Sequence, residues 1–364
     1  MKTILVVNPG STGTKVALYH ATSGHEVQEM VYQNLPFHNA KTTPHSFQEE
    51  QIIRSQAVQR FLSQQATLPL DAVAARGGLT KPLEAGSYRI DEELIHDLSH
   101  GRFGVHASNF AAPIAMEIAS SQEIPALIAD PVGVDEFIPL ARYSGHPELP
   151  RRSQLHALNI RAVARRAANE MGGEMEDFHF VIAHLGGGIS VVPMSHGRII
   201  DTSHAMDGGP FSPQRCGALP MTLLVEMCFS GRWKDSKEAL EELTRHGGLQ
   251  AYLGTDDGKE VERRALAQEH PWEETYQAMA YQISKEIGAM AAALPHRPHA
   301  ILLTGGLPHP PLSDWITQQL DWMAPVRIYA GEKEMEALAL AAARHLYDQE
   351  PLKDYAKSAH SVQA

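Results

Sequence analysis

Three short segments concentrate glycine and small polar residues between runs that read as strands, and each has the makings of an anion site. The first is Asn8-Pro9-Gly10-Ser11-Thr12-Gly13-Thr14-Lys15. Its backbone N–H groups and hydroxyls can wrap a phosphate and Lys15 can neutralise it, although the turn serves equally well as a polar hairpin connection. It is not a Walker A loop, because the G-x-x-x-x-G-K-[ST] spacing is absent. The second is His184-Leu185-Gly186-Gly187-Gly188. Three consecutive glycines are costly in backbone entropy, so they serve either a close approach of backbone to ligand or a hairpin that needs positive φ. The third, Thr304-Gly305-Gly306, follows one apolar run and precedes a helix, an arrangement that exposes a helix N-terminus to a nucleotide. No G-x-G-x-x-G fingerprint accompanies it, which counts against a dinucleotide dehydrogenase. Arg76 stands before Gly77-Gly78 at a strand end. Arg215 lies in the long segment Asp207–Gly217, where an arginine is more often a solvated charge than a catalytic group. His96 and His100 are four apart on a helix; with no H-E-x-x-H pattern they read as a surface pair.

Short β-rich runs alternate with helical runs, which predicts an α/β fold. Strands are expected at 4–7, 16–19, 71–75 and 126–129 in the first half, and at 180–183, 189–192, 198–201, 300–303 and 326–329 in the second. A helix should begin near Ser46, with Ser46 and Glu49 forming a capping box and Ile53, Ala57 and Phe61 on its buried face. Ser153 is expected to cap a second helix carrying Leu155, Leu158 and Ala162. Further helices are expected at 218–230, 236–245, 272–294 and 332–346, followed by a polar, frayed tail. Strand, glycine turn, strand occurs once in each half, a repeat of architecture rather than of letters.

The 364 residues suggest two domains at roughly 150 residues each. Hydrophobic residues at 43% and charged residues at 20% are values of a globular chain. Asp plus Glu number 43 against 31 Lys plus Arg, a net charge of −12, which disfavours broad binding to nucleic acid or to an anionic membrane but leaves room for a local cationic pocket. The two cysteines, Cys216 and Cys228, form no C-x-x-C pair and suit a reducing compartment. The apolar run after Met1 is too short for a signal-peptide core or a membrane span, so a cytoplasmic location is expected.

Taken in order, these segments resemble the acetate/butyrate kinase family, nearly end to end. Asn8-Pro9-Gly10-Ser11-Thr12 with Lys15 resembles its first phosphate loop, His184–Ser190 its second, and Thr304-Gly305-Gly306 its adenosine loop. Arg76–Pro82, His106-Ala107-Ser108-Asn109, Asp130-Pro131, Pro210–Pro213 and Ala251–Thr255 are closer to the butyrate kinase branch than to acetate kinases. The resemblance implies two actin-like (ribonuclease H-like) domains, residues 1–150 joined by the C-terminal helix 332–364 and residues 151–331, with a nucleotide cleft between them. It implies ATP/ADP and Mg²⁺ as cofactors, a small carboxylate, butyrate first, as phosphoryl acceptor, and a homo-oligomer of at least two copies. By the same resemblance Arg76, Arg215, His184 and Asp130 are catalytic, and Asn8, Ser11, Thr12, Lys15, Gly186, Gly187, Gly188, Thr304, Gly305 and Gly306 bind nucleotide. His106 and His156 line the acid pocket, and Glu334, or Glu332 in its place, joins Asp130 at the metal.

The chain departs from the family at Gly13, where a second serine is usual. The stretch Asp207–Pro210 is one residue shorter than the butyrate kinase pattern, and Arg215-Cys216 replaces an arginine–serine pair. Acetate, propionate or branched-chain acids are the alternative substrates. A nucleotide-binding protein of actin-like fold without acid kinase activity is the alternative of another class; it would have no need of two arginines at the phosphates.

Overall fold

The computed structural model describes residues 1–37, 46–65 and 69–358. In chain order it begins with strands β1 (Lys2–Pro9), β2 (Gly13–Ser23) and β3 (Glu26–Pro36), helix α1 (Phe47–Ser63), β4 (Ala72–Arg76) and β5 (Ser87–Arg89). There follow α2 (Glu92–Ser99), α3 (Ala111–Ser120) and β6 (Ala126–Ala129). Next come α4 (Ala157–Glu170), β7 (His179–Leu185), β8 (Ile189–Ser195) and β9 (Arg198–Ile199). Helices α5 (Met221–Phe229), α6 (Ser236–Arg245), α7 (Gly248–Leu253), α8 (Gly258–Leu266) and α9 (Trp272–Ala292) follow. The chain ends with β10 (Ala300–Gly305), α10 (Leu312–Leu320), β11 (Val326–Ala330), α11 (Glu334–Leu346) and β12 (Lys353–Asp354). Two compact units result: Met1–Asp135 with Lys333–Ala364, and Glu136–Glu332.

Each unit has its own sheet and core. In the first, the sheet runs β3-β2-β1-β4-β6, then β5 and β12. Strands β1, β2 and β3 pair antiparallel, whereas β4 and β6 run parallel to β1. In the second, the order β9-β8-β7-β10-β11 repeats the same directions: two antiparallel pairs, then two parallel ones. The repeated strand–turn–strand pattern is therefore a repeated sheet topology. Strands β1 and β7 are apolar and buried on both faces because helices cover both sides of the parallel half. In such sheets ligands bind beyond the carboxyl ends of the strands. Asn8, Arg76 and Asp130 stand there in the first unit, and His184 and Thr304 in the second.

Several expectations shift. Ser46 does cap α1, accepting from the Glu49 N–H at 3.2 Å, but the buried face is Arg54, Ser55, Val58 and Phe61, one residue round from the predicted stripe. Helix α4 is preceded by His156 rather than Ser153, α11 starts at Glu334, and β9 stops at Ile199. The tail up to Ser358 is not frayed; 359–364 lie outside the described residues. Lys353 and Asp354 pair beside Tyr88 and Arg89, and Tyr355 is fully buried, donating from its hydroxyl to Asp97 Oδ2 at 2.9 Å. Backbone pairing and one aromatic anchor hold a segment whose side chains are polar. No helix among the described residues is long and apolar enough to cross a membrane, and both cysteines are free.

At the start of β7, His179 is buried, with ring centroids of His196 at 4.6 Å and of His296 and His299 at 5.6 Å. Burial, then the neighbouring imidazoles, holds its pKa below the ordinary value. The unfolded chain takes that proton more readily, so stability is complete above the unfolded value of about 6.5 and declines as pH falls below it. Melting curves between pH 8 and 5.5 should show a loss in acid that is smaller in His179→Asn. Equal losses in the two proteins would assign the acid sensitivity elsewhere.

Candidate active site

In the first unit the site grows from two neighbouring parallel strand ends. Asn8 near the end of β1 is 3% exposed and donates from Nδ2 to Glu334 Oε2 at 3.0 Å. Arg76 at the end of β4 forks onto the same carboxylate, with Nη1 to Oε2 and Nη2 to Oε1 each at 3.0 Å. Glu334 opens α11, where a carboxylate also meets the positive end of the helix dipole. Two-pronged geometry of this kind is what arginine has and lysine lacks. Asp130 follows Ala129, the register partner of Arg76. It takes a left-handed backbone (φ 39°), and its Oδ1 accepts from the Gly86 N–H at 2.8 Å. A non-glycine residue held there is strained, and such strain collects at functional sites.

The loop between β1 and β2 closes with Gly10 N–H donating to Gly13 O at 2.7 Å. Asn8, Gly10, Thr12, Gly13, Lys15, Asn34 and Arg76 line a pocket there, with two cations, two amides and glycine backbone. Ser11 is exposed and is not among the lining residues. A Cβ at Gly13 would lie 2.7 Å from Asn34 Oδ1 and 2.8 Å from the Leu35 carbonyl, so β3 leaves no room for a side chain there.

Sequence reasoning missed Arg54, which braces this loop from within. Its side chain is 2% exposed; it donates to the carbonyls of Gly10 and Gly13 and to Thr14 Oγ1 at 3.0–3.2 Å. Glu50 balances its charge at 2.7 Å, and the Phe37 ring lies 4.1 Å away. Arg54 holds the loop carbonyls on the buried side. The signal was an arginine at the buried helical spacing, which a polarity-based reading assigns to solvent.

The second unit supplies a different set. His184, 1% exposed at the end of β7, has Nδ1 2.9 Å from Asn159 Nδ2, and that amide nitrogen lies 3.0 Å from Thr304 Oγ1. The His156 ring stacks on His184 at 4.0 Å and 10°, with its Nδ1 hydrogen-bonded to Ser190 Oγ at 2.9 Å. Glu332 Oε1 is 3.4 Å from His184 Nε2, so the two candidate glutamates serve different groups: Glu332 faces His184 and Glu334 faces Arg76. His106, in the first unit, is exposed and its ring Nδ1 accepts from the Ser108 N–H, capping a short 3-10 turn.

None of Gly186, Gly187 and Gly188 has positive φ, so the hairpin does not need glycine for its conformation. Two of them lie against side chains of the candidate site. A Cβ at Gly188 would sit 2.3 Å from Arg215 Nη1, and one at Gly186 would stand 3.3 Å from His184 Nε2. Gly305 combines a φ of 94° with a Cβ position 2.3 Å from the Leu185 carbonyl, whereas Gly306 meets nothing within 4 Å.

Arg215 is no solvated charge. Its guanidinium lies flush on Gly188, Nη1 donates to the Ala205 carbonyl, and burial lowers its pKa from the ordinary value. Ser212 clips this loop to the glycine run: its hydroxyl donates to Gly187 O at 2.7 Å and accepts from the Arg215 N–H at 3.1 Å.

Comparison with known proteins bears on the family and the fold. Residues 139–310 match the acetokinase family. The chain is 43% identical over 357 residues to a protein named probable butyrate kinase 2 from Caldanaerobacter subterraneus, spanning 97% of this chain and 99% of that one. It is 41% identical over 362 residues to butyrate kinase 2 of Clostridium acetobutylicum, with the same coverage. The fold matches the crystal structure of Porphyromonas gingivalis acetate kinase with a TM-score of 0.74, 17% identity, and coverage of 93% of this chain and 98% of that one. The chain belongs to the acetokinase family, and its two sheets are those of the actin-like fold.

Proposed function

We propose that this chain is an ATP-dependent kinase of short-chain fatty acids that converts butyrate and ATP to butyryl phosphate and ADP, reversibly. The observation that carries the reading is the pair of arginines seated at glycine-rich strand ends, in a chain 43% identical over nearly its whole length to a relative named as a butyrate kinase. A carboxylate is already ionised at neutral pH, so its oxygen attacks the γ-phosphorus without a strong base while the bond to ADP breaks. Negative charge spreads over three phosphoryl oxygens, and what the protein must supply is fixed positive charge and N–H donors. Arg76, Arg215 and His184 supply them, with Asp130 beside Arg76. Asn8, Ser11, Thr12, Lys15 and Gly186–Gly188 hold the phosphates, Thr304-Gly305-Gly306 the adenosine, and His106 and His156 the acid.

Glu334 and Asp130 fit Mg²⁺, an ion that takes hard oxygen ligands from one or two carboxylates and from phosphates; among the described residues no larger group of metal-ligating side chains gathers. Bound there, the ion would neutralise charge on the β- and γ-phosphates. We place the activity in the cytoplasm, where free cysteines such as Cys216 and Cys228 persist.

A hydroxamate assay with acetate, propionate, butyrate, isobutyrate and valerate tests the reading. Two extra methylenes at about 0.8 kcal/mol each make kcat/KM for butyrate roughly tenfold that for acetate. Equal or better turnover of acetate would move the assignment to acetate kinase, and no hydroxamate with any acid would remove it. The chain also assembles at least as a dimer in this reading. Helix α5 buries none of its residues and exposes Met221, Leu223, Val225 and Phe229, an apolar face that suits a second copy. Sedimentation velocity should give a dimer or larger that dissociates in Leu223→Asp/Phe229→Asp; a monomeric wild type refutes it.

A further inference from the structure

We infer that Asn159 is a positioning residue that fixes the tautomer of His184, placing its ring proton on Nε2. The inference rests on the proposed phosphoryl transfer for its consequence, though not for its geometry. Asn159 is 2% exposed, one turn into α4 from His156, and its amide nitrogen reaches both His184 Nδ1 and Thr304 Oγ1. An amide nitrogen only donates, whereas a hydroxyl can do either. The Gly331 carbonyl, 3.5 Å away, is a distant acceptor for the Thr304 hydroxyl, and the Glu332 carboxylate, 3.4 Å from His184 Nε2, calls for a proton on that nitrogen; both favour an amide that donates to Thr304 Oγ1 and to Nδ1. That sets which end of the amide faces Thr304. The second N–H of the same nitrogen then points at His184 Nδ1, which must be bare to accept it.

The remaining ring proton therefore sits on Nε2, on the side of the glycine loop. A Cβ at Gly186 would stand 3.3 Å from that nitrogen, and Glu332 Oε1, 3.4 Å from it, is an acceptor that suits a proton there. His156 and Asn159 occupy positions i and i+3 of one helical turn and hold the ring together: the stacked imidazole sets its plane, and the amide sets its rotation about that plane and its tautomer. In the proposed reaction Nε2–H donates to a phosphoryl oxygen. The other tautomer would turn a lone pair toward an anion, which repels it.

The test reads the tautomer directly. Long-range ¹H–¹⁵N correlation spectra of the ¹⁵N-labelled chain at pH 8.5, with the His184 signals assigned by their loss in His184→Gln, should show Nε2 protonated and Nδ1 bare. In Asn159→Asp the side chain can only accept, so the proton should move to Nδ1. With butyrate and ATP, kcat should fall by on the order of 10²-fold in that variant, the cost of one lost donor to a developing oxyanion, with KM for ATP changed little. Asn159→Leu should cost less. Combined with His184→Gln, it should add nothing beyond the His184→Gln loss, because both act through one ring. A wild-type His184 protonated on Nδ1 overturns the inference whatever the variants do, and so do fully additive losses. Should the wild type phosphorylate no acid, the proposed function falls, while an Nε2–H signal that inverts in Asn159→Asp still upholds the role of Asn159.

Discussion

Replacing Arg215 by alanine should lower kcat by on the order of 10³-fold, with modest change in KM for ATP, the signature of an arginine that meets phosphoryl charge mainly in the transition state. Of its five N–H donors one is engaged with the Ala205 carbonyl, leaving the fork available. Arg215→Lys should recover part of the rate, because an ammonium has the charge without the planar fork. The residue's setting changes what to expect of stability. A loop arginine facing solvent would leave the melting temperature unmoved. Here the guanidinium covers Gly188 and bonds the carbonyl of half-buried Ala205, so truncation should cost about 1 kcal/mol, a drop of a few degrees at most. Near-normal kcat in the alanine variant would take Arg215 out of the reaction.

Glu334 should show a larger combined effect. Glu334→Ala leaves the Arg76 guanidinium and the Asn8 amide facing an empty site, and breaking a largely buried pair from one side costs about 3 kcal/mol. Activity should fall below about one part in 10³, since Arg76 loses its fork and the proposed Mg²⁺ a carboxylate. Glu334→Gln separates the two roles. Its amide oxygen still accepts from Arg76, so it should melt closer to the wild type, yet require far more Mg²⁺ for its residual rate. A glutamine variant with unchanged Mg²⁺ dependence would restrict Glu334 to holding Arg76 and Asn8.

How much of this was legible beforehand depended on the range over which each feature is decided. The apolar runs of β1, β7 and β10 announce themselves because burial on both faces demands unbroken hydrophobic sequence. Strand β3 escaped notice because only Leu35 in it is buried, so it shows no apolar alternation. The segment around Tyr355 escaped because a single aromatic docking on Lys81 and Asp97 has no period to detect.

By itself the sequence determined the α/β alternation, the two strand–turn–strand units, the glycine loops and the family resemblance, all written in neighbouring residues. Only the tertiary structure decided which charges are buried and against what. Arg54 goes inward because its partners are carbonyls of a loop some forty residues earlier, and Arg76 meets Glu334 across a separation of 258 residues. It also placed His184 Nε2 and the Arg215 guanidinium beside Gly186 and Gly188, neither of which has positive φ. Polarity and periodicity are properties of a segment, whereas desolvation and pairing are properties of a place, and the chain creates the place only by folding.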